Sequence, residues 1–206
     1  HDLRSRGIGL LKSEISGTEN TGVGNDFMGW EFYKDTRVLY GTVIVGEKEY
    51  KHPVPSQMIW RPDKMICEYQ LDNILIREEK FIGENDAAAS IITSSEPVIL
   101  RFEGHSFYVR HSVSSSAKIS YQKATNTIVV LEGGTVKSRP DPDGPVRVGP
   151  CVYQNMTTAL SASKDFSKTF SSKLGDNGEQ KYRFEIPCDS HGVTVSWAMD
   201  DNQEKA

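Results

Sequence analysis

Cysteine, tryptophan and histidine are scarce in this chain of 206 residues, which holds three, three and five of them. Three cysteines (Cys67, Cys151 and Cys188) permit at most one intramolecular disulfide, which excludes a densely stapled scaffold. Their spacing fits no zinc motif, and no histidine clusters with them. No apolar run approaches the roughly 20 residues that a membrane-spanning helix needs. Basic charge is not in excess either: the net charge is −4 and the pI about 5.8. That balance argues against nucleic acid and acidic membranes as partners. Lys48, Lys51, Arg77 and Lys80 are scattered among acidic neighbours, a pattern expected of solvated strand faces. Helical periodicity is almost absent, as are an internal repeat and a break in composition that would mark a second domain. No Ser-His-Asp order, nucleophile elbow or phosphate-cradling glycine loop is visible.

The composition that is present, 37% hydrophobic and 25% charged, belongs to an ordinary globular domain long enough to bury a core. Its dominant signal is period-two alternation broken by turn residues about every ten positions. This predicts strands over Trp30–Lys34, Arg37–Val45, Met58–Arg61, Met65–Leu71, Ile74–Phe81, Ala88–Thr93 and Val98–Glu103. Further strands are expected over Ser106–Arg110, Lys118–Gln122, Thr127–Leu131, Cys151–Thr158, Tyr182–Pro187 and Val193–Ala198. Val45–Lys48 and Leu71–Asn73 read as hairpin turns. Gly133–Gly149 and Gly17–Asn25 read as long loops, and Ser161–Asp176 as a polar stretch with room for one amphipathic turn. The fold class that follows is all-β, a large antiparallel β-sandwich. Cys67 is expected in the core, and a Cys151–Cys188 bridge is open. Asn155-Met156-Thr157 fits a glycosylation sequon, a triplet common by chance.

At the end of the chain, the strand Val193–Ala198 runs into Asp200–Ala206. Asp201 and Glu204 stand at capping-box spacing, with a carboxylate placed to accept the free N–H groups of a first helical turn. The expected division is a sandwich over 1–199 and the start of a linker helix, or a polar tail, over 200–206. The chain opens at His1 without an initiator Met or signal peptide, as expected of a removed leader or of a boundary within a longer polypeptide.

Three stretches resemble the N-terminal β-sandwich (supersandwich) domain of six-hairpin glycosidases. One is Trp60-Arg61-Pro62-Asp63-Lys64, leading into Met65–Leu71. Another is Ile76-Arg77-Glu78-Glu79-Lys80-Phe81, followed by Asn85-Asp86-Ala87-Ala88-Ala89 and Pro97-Val98-Ile99-Leu100-Arg101-Phe102. The last is the closing strand into Asp200–Ala206. The resemblance implies a non-catalytic domain of a glycoside hydrolase or polysaccharide lyase. Such a domain precedes a linker helix and an (α/α)6 catalytic barrel, packs on that barrel and helps to shape its substrate cleft. It implies carbohydrate as ligand, no cofactor, and a secreted or periplasmic location. The catalytic carboxylates would belong to the barrel, so no position of this sequence matches them.

The residues themselves leave other chemistry open. Hydrolysis needs two carboxylates held about 5–10 Å apart, and Glu78 with Glu84, or Asp141 with Asp143, are the candidates. Strand geometry sends Glu78 and Glu79 to opposite faces, and the expectation for these carboxylates is a solvated surface. An N-terminal His1 could bind copper through its amine and ring, with His52, His105, His111 or His191 as the second imidazole, as in copper-dependent polysaccharide monooxygenases. His105 and His111, six apart along a strand, would lie about 20 Å from each other, too far to share an ion. Aromatic side chains (Trp30, Phe32, Tyr33, Trp60, Tyr69 and Trp197) could serve as sugar platforms, although strand aromatics mostly build cores. The substrate-binding candidates are Trp60, Arg61 and Trp30. Trp60-Arg61 leads because an Arg beside an indole can engage a carboxylated sugar. A self-contained carbohydrate-binding module or lectin is the alternative of a different class.

Overall fold

Period-two alternation becomes fifteen strands in the computed structural model, which describes residues 8–9, 30–32, 36–51, 53–82, 87–105, 112–136, 151–174 and 180–200. In chain order these are β1 (Ile8–Gly9), β2 (Trp30–Phe32), β3 (Thr36–Val45), β4 (Lys48–Lys51) and β5 (Gln57–Trp60). Next come β6 (Met65–Leu71), β7 (Ile74–Ile82), β8 (Ala87–Ser94), β9 (Val98–His105) and β10 (Ser112–Gln122). The series closes with β11 (Thr127–Val136), β12 (Cys151–Ala162), β13 (Lys168–Leu174), β14 (Gln180–Cys188) and β15 (Val193–Asp200).

The strands form two sheets. One is ordered β1-β2-β3-β9-β14-β13, with β4 also paired to β3; the other is ordered β10-β11-β12-β15-β8-β7-β6-β5. Every pairing is antiparallel, as Ile76 opposite both Tyr69 and Ser94 illustrates. The fold class expected from the sequence is therefore the one observed, a two-sheet antiparallel sandwich without helix among the described residues.

The inward faces follow the alternation. Val43, Leu100, Phe102, Tyr182, Phe184 and Ile186 of the first sheet meet Tyr69, Ile76, Ile92, Leu160, Val195 and Trp197 of the second in one buried cluster. Phe102 and Phe184 are register partners with stacked rings 5.0 Å apart. Ala88, the register partner of Trp197, leaves space for the large indole beside it. At one end the sheets are joined through the β6–β7 turn, where Asp72 accepts hydrogen bonds from Lys48 (2.6 Å) and Tyr50 (2.5 Å) of β4. Asp72 sits at φ 51°, a left-handed conformation that Asp tolerates better than most side chains. At the same end, near the start of β7, Ser94 N–H donates to Asp189 O and the Cys188 thiol to Ile92 O.

Several expectations are corrected. β1, β4 and β13 are strands where none was expected. β13, Lys-Thr-Phe-Ser-Ser-Lys-Leu, lies within the polar stretch Ser161–Asp176 and is the terminal strand of its sheet, paired with β14. β11 continues through Gly133 to Val136, four residues into the expected loop, because β10 and β12 pair it on both edges. Cys188 is a free buried thiol, so the Cys151–Cys188 bridge is not formed. Cys67 lies in the core, as expected. Lys80 and Glu78 are not on a solvated face: both point inward and are about 1% or less exposed. The stretches 17–25, 106–111, 137–150 and 201–206 lie outside the described residues, and with them Ser106–Arg110, most of the expected loops and the expected linker helix.

Candidate functional site

The described surface bears one place where large apolar groups collect around a strand edge. β5 is the terminal strand of its sheet, and all four of its residues are exposed. Val54 is 78%, Met58 37%, Ile59 41% and Trp60 72% accessible. The register explains why. Met58 and Trp60 pair with the buried Cys67 and Met65, so they point to the core side of the sheet but lie at its rim; Ile59 points the other way. No charged residue stands between Gln57 and Trp60, an unusual composition for an outer strand.

The β5–β6 connection carries the remaining groups. Arg61 N–H donates to Lys64 O (2.9 Å), closing a four-residue loop in which Pro62 restricts the backbone. Across this loop the Arg61 guanidinium Nε donates to Asp63 Oδ1 at 3.2 Å, with both side chains more than half exposed. Lys64 leaves the loop toward Glu79 (2.6 Å), which also receives Arg77 (2.9 Å), and Arg77 reaches Glu68 (3.1 Å). Lys64 first, and then Arg77, hold the Glu79 carboxyl below the usual carboxylate range by hydrogen bonds to its charged form.

Trp60 and Arg61, adjacent in sequence, are thus at one exposed hairpin tip. Trp30 is on β2 of the other sheet, and its side chain lies outside the described residues. Two other candidate platforms are core residues: Tyr69 is fully buried and Trp197 is 2% exposed. Phe32 and Tyr33 lie outside the residues whose side chains are described. Of the carboxylate candidates, Glu84, Asp141 and Asp143 are outside the described residues. So are His1, His52 and His111. His191 is described: its side chain is 88% exposed in the turn before β15, 3.5 Å from Asp189. Among the described residues no group of three metal-ligating side chains comes together.

Two charged arrangements were not foreseen. Inside the sandwich, Glu78 accepts hydrogen bonds from Tyr69 OH (3.1 Å) and Ser90 Oγ (2.8 Å) and stands 3.6 Å from Lys80 Nζ. Burial and the Glu78 charge push the Tyr69 phenol far above its ordinary range. On the outer side of the first sheet, Arg101 is held between Glu185 (2.8 Å) and Glu49. The Arg101 contact lowers the Glu49 carboxyl. The signal for the buried group was present in the sequence. Ile74, Ile76, Glu78 and Lys80 share one phase of β7, and that phase also faces the core at Ile74 and Ile76.

No protein-family model matches the chain. No curated protein matches it in sequence. Solved structures with a similar arrangement include a protein described as a kojibiose phosphorylase from the human microbiome, at TM-score 0.40 and 14% identity over 81% of this chain and 23% of that one. A polysaccharide lyase aligns at TM-score 0.43 and 11% identity over 82% of this chain and 26% of its own. A 4-alpha-glucanotransferase from Thermococcus litoralis aligns at TM-score 0.34 and 12% identity over 79% of this chain and 27% of its own. By name all three act on carbohydrate, and this chain spans about a quarter of the length of each.

Proposed function

We propose that this chain is a non-catalytic β-sandwich domain of a polysaccharide-degrading enzyme, and that it meets glycan through Trp60 and Arg61. In this reading it precedes an (α/α)6 catalytic barrel of a glycoside hydrolase or lyase, packs on it and borders its cleft. The observation that carries the reading is the indole of Trp60, 72% exposed on an uncharged outer strand. Water gains by covering such a surface, and the apolar C–H face of a sugar ring is a fitting cover. A ring that hides ~60 Å² of indole would contribute about 1.5 kcal/mol, or roughly tenfold in affinity. A non-catalytic role is supported by the engagement of described carboxylates with cations: Glu49, Glu68, Asp72, Glu79, Glu185 and Asp189 each face a Lys or Arg within ionic reach.

Retention on a panel of immobilised polysaccharides tests the glycan half. Wild type should bind at least one glycan, and Trp60→Ala should weaken that binding about tenfold. Unchanged binding in both Trp60→Ala and Arg61→Ala would remove the site. The barrel half is tested by the intact mass of the polypeptide from its source, since a native mass near 23.0 kDa would leave no room for a catalytic domain. The same exposed indole would suit a self-contained carbohydrate-binding module. That reading predicts glycan binding together with the smaller mass.

A further inference from the structure

We infer that Asp63 sets the charge selectivity of the Trp60 hairpin, so that the site takes uncharged glycans and discriminates little in favour of uronates. The inference rests on the glycan-binding reading above. An indole followed by an arginine suggests a carboxylated sugar, but in the folded chain Arg61 already has a carboxylate. Its Nε donates to Asp63 Oδ1 at 3.2 Å, across a loop closed by the Arg61 N–H to Lys64 O bond. The second cation of the loop, Lys64, is likewise taken by Glu79 at 2.6 Å. The two ion pairs cancel, and the hairpin tip presents no net charge to an arriving polymer. A uronate could reach the guanidinium charge only by competing with Asp63 for it. It would exchange one exposed carboxylate for another and gain little. A neutral sugar meets no such competition. Its ring lies on the Trp60 face while its hydroxyls can accept from the guanidinium and donate to the Asp63 carboxylate, so the pair is an asset to it.

The probes are a neutral glucan and a polyuronate of matched length, with binding measured for the intact chain by calorimetry at low and high salt. Wild type should bind the neutral polymer at least as well as the polyuronate. Asp63→Asn removes the competing charge and leaves Arg61 unneutralised, at a position 60% exposed where the fold is not at stake. It should raise polyuronate affinity about fivefold, roughly one unscreened charge contact in water. The gain should vanish near 1 M salt, where the screening length is about 3 Å, and also in the Arg61→Ala/Asp63→Asn double variant. A wild-type preference for the polyuronate that is lost in Arg61→Ala, or an Asp63→Asn protein with unchanged polyuronate affinity, overturns the inference while leaving the glycan site standing. Binding of neither polymer by any variant overturns the inference, and absence of binding across the whole polysaccharide panel overturns the glycan-binding reading with it.

Discussion

Replacing Lys80 by methionine removes the ammonium that stands 3.6 Å from the Glu78 carboxylate while keeping most of the side-chain volume. Both groups lie inside the sandwich, 1% and 0% exposed, with Tyr69 OH and Ser90 Oγ donating to the same carboxylate. Removing one member of a buried ion pair costs about 3–5 kcal/mol, because a charge is left in a medium that solvates it poorly. For a chain of this length each kcal/mol moves the melting temperature by about 2–4 °C, so Lys80→Met should melt about 6–20 °C below wild type. Glu78→Gln/Lys80→Met should recover much of the loss, since the introduced amide carries no charge yet still offers an oxygen to Tyr69 and Ser90. The two single losses should therefore exceed the double loss, with a coupling of up to about 3 kcal/mol. Urea and thermal unfolding of the four proteins, followed by tryptophan fluorescence, supply the cycle. A Lys80→Met protein within about 0.5 kcal/mol of wild type, or losses that simply add, would refute the coupling assigned to this pair.

Gly192 turns into β15 at φ 75°, and a Cβ there would meet Ile92 O and Thr93 Cγ2 at 3.0 Å, so Gly192→Ala should lower stability by about 1–3 kcal/mol in urea titration. Burial raises the Cys67 thiol and pushes the Cys188 thiol up to about 11, so in a Cys151→Ser variant neither should react with a disulfide reagent near pH 8 until urea unfolds the chain; fast labelling of the native protein would contradict their burial. Glu79 has its folded carboxyl below the ordinary value of 4.5, held there by Lys64 and Arg77. Its contribution to stability is therefore full above that value and is lost as pH falls toward the lower folded one. Unfolding midpoints of wild type and Glu79→Gln should keep a constant gap near neutrality that narrows below about pH 4.5. A gap that widened on acidification would reverse the assigned shift.

Much of the sheet architecture was legible along the chain. β6 runs over Met65–Leu71, the predicted bounds, because both its neighbours are short hairpins whose turns end it. The strands missed or cut short were those held mainly by pairing. β4 is a four-residue strand made by its hairpin with β3; β13 carries little apolar alternation; and the end of β11 contains two glycines that β10 and β12 pair all the same. Of the candidate site, Trp60 and Arg61 were legible as a pair, since they sit at one hairpin tip. Their sorting from Tyr69 and Trp197, which have similar strand contexts but lie in the core, was not.

The sequence by itself determined the class of fold, because alternation with regular turns permits a strand with one buried face and little else. It also determined which residues share a face: the phase of Ile74 and Ile76 carries Glu78 and Lys80 with it. Tertiary structure decided which faces are covered and which charges meet. Glu78 and Lys80 are buried because a second sheet closes over that side of β7, whereas Trp60, on the core side of its own strand, is exposed because β5 lies at the sheet's rim. Burial depends on what packs opposite, a property of distant segments, and local alternation carries no record of it.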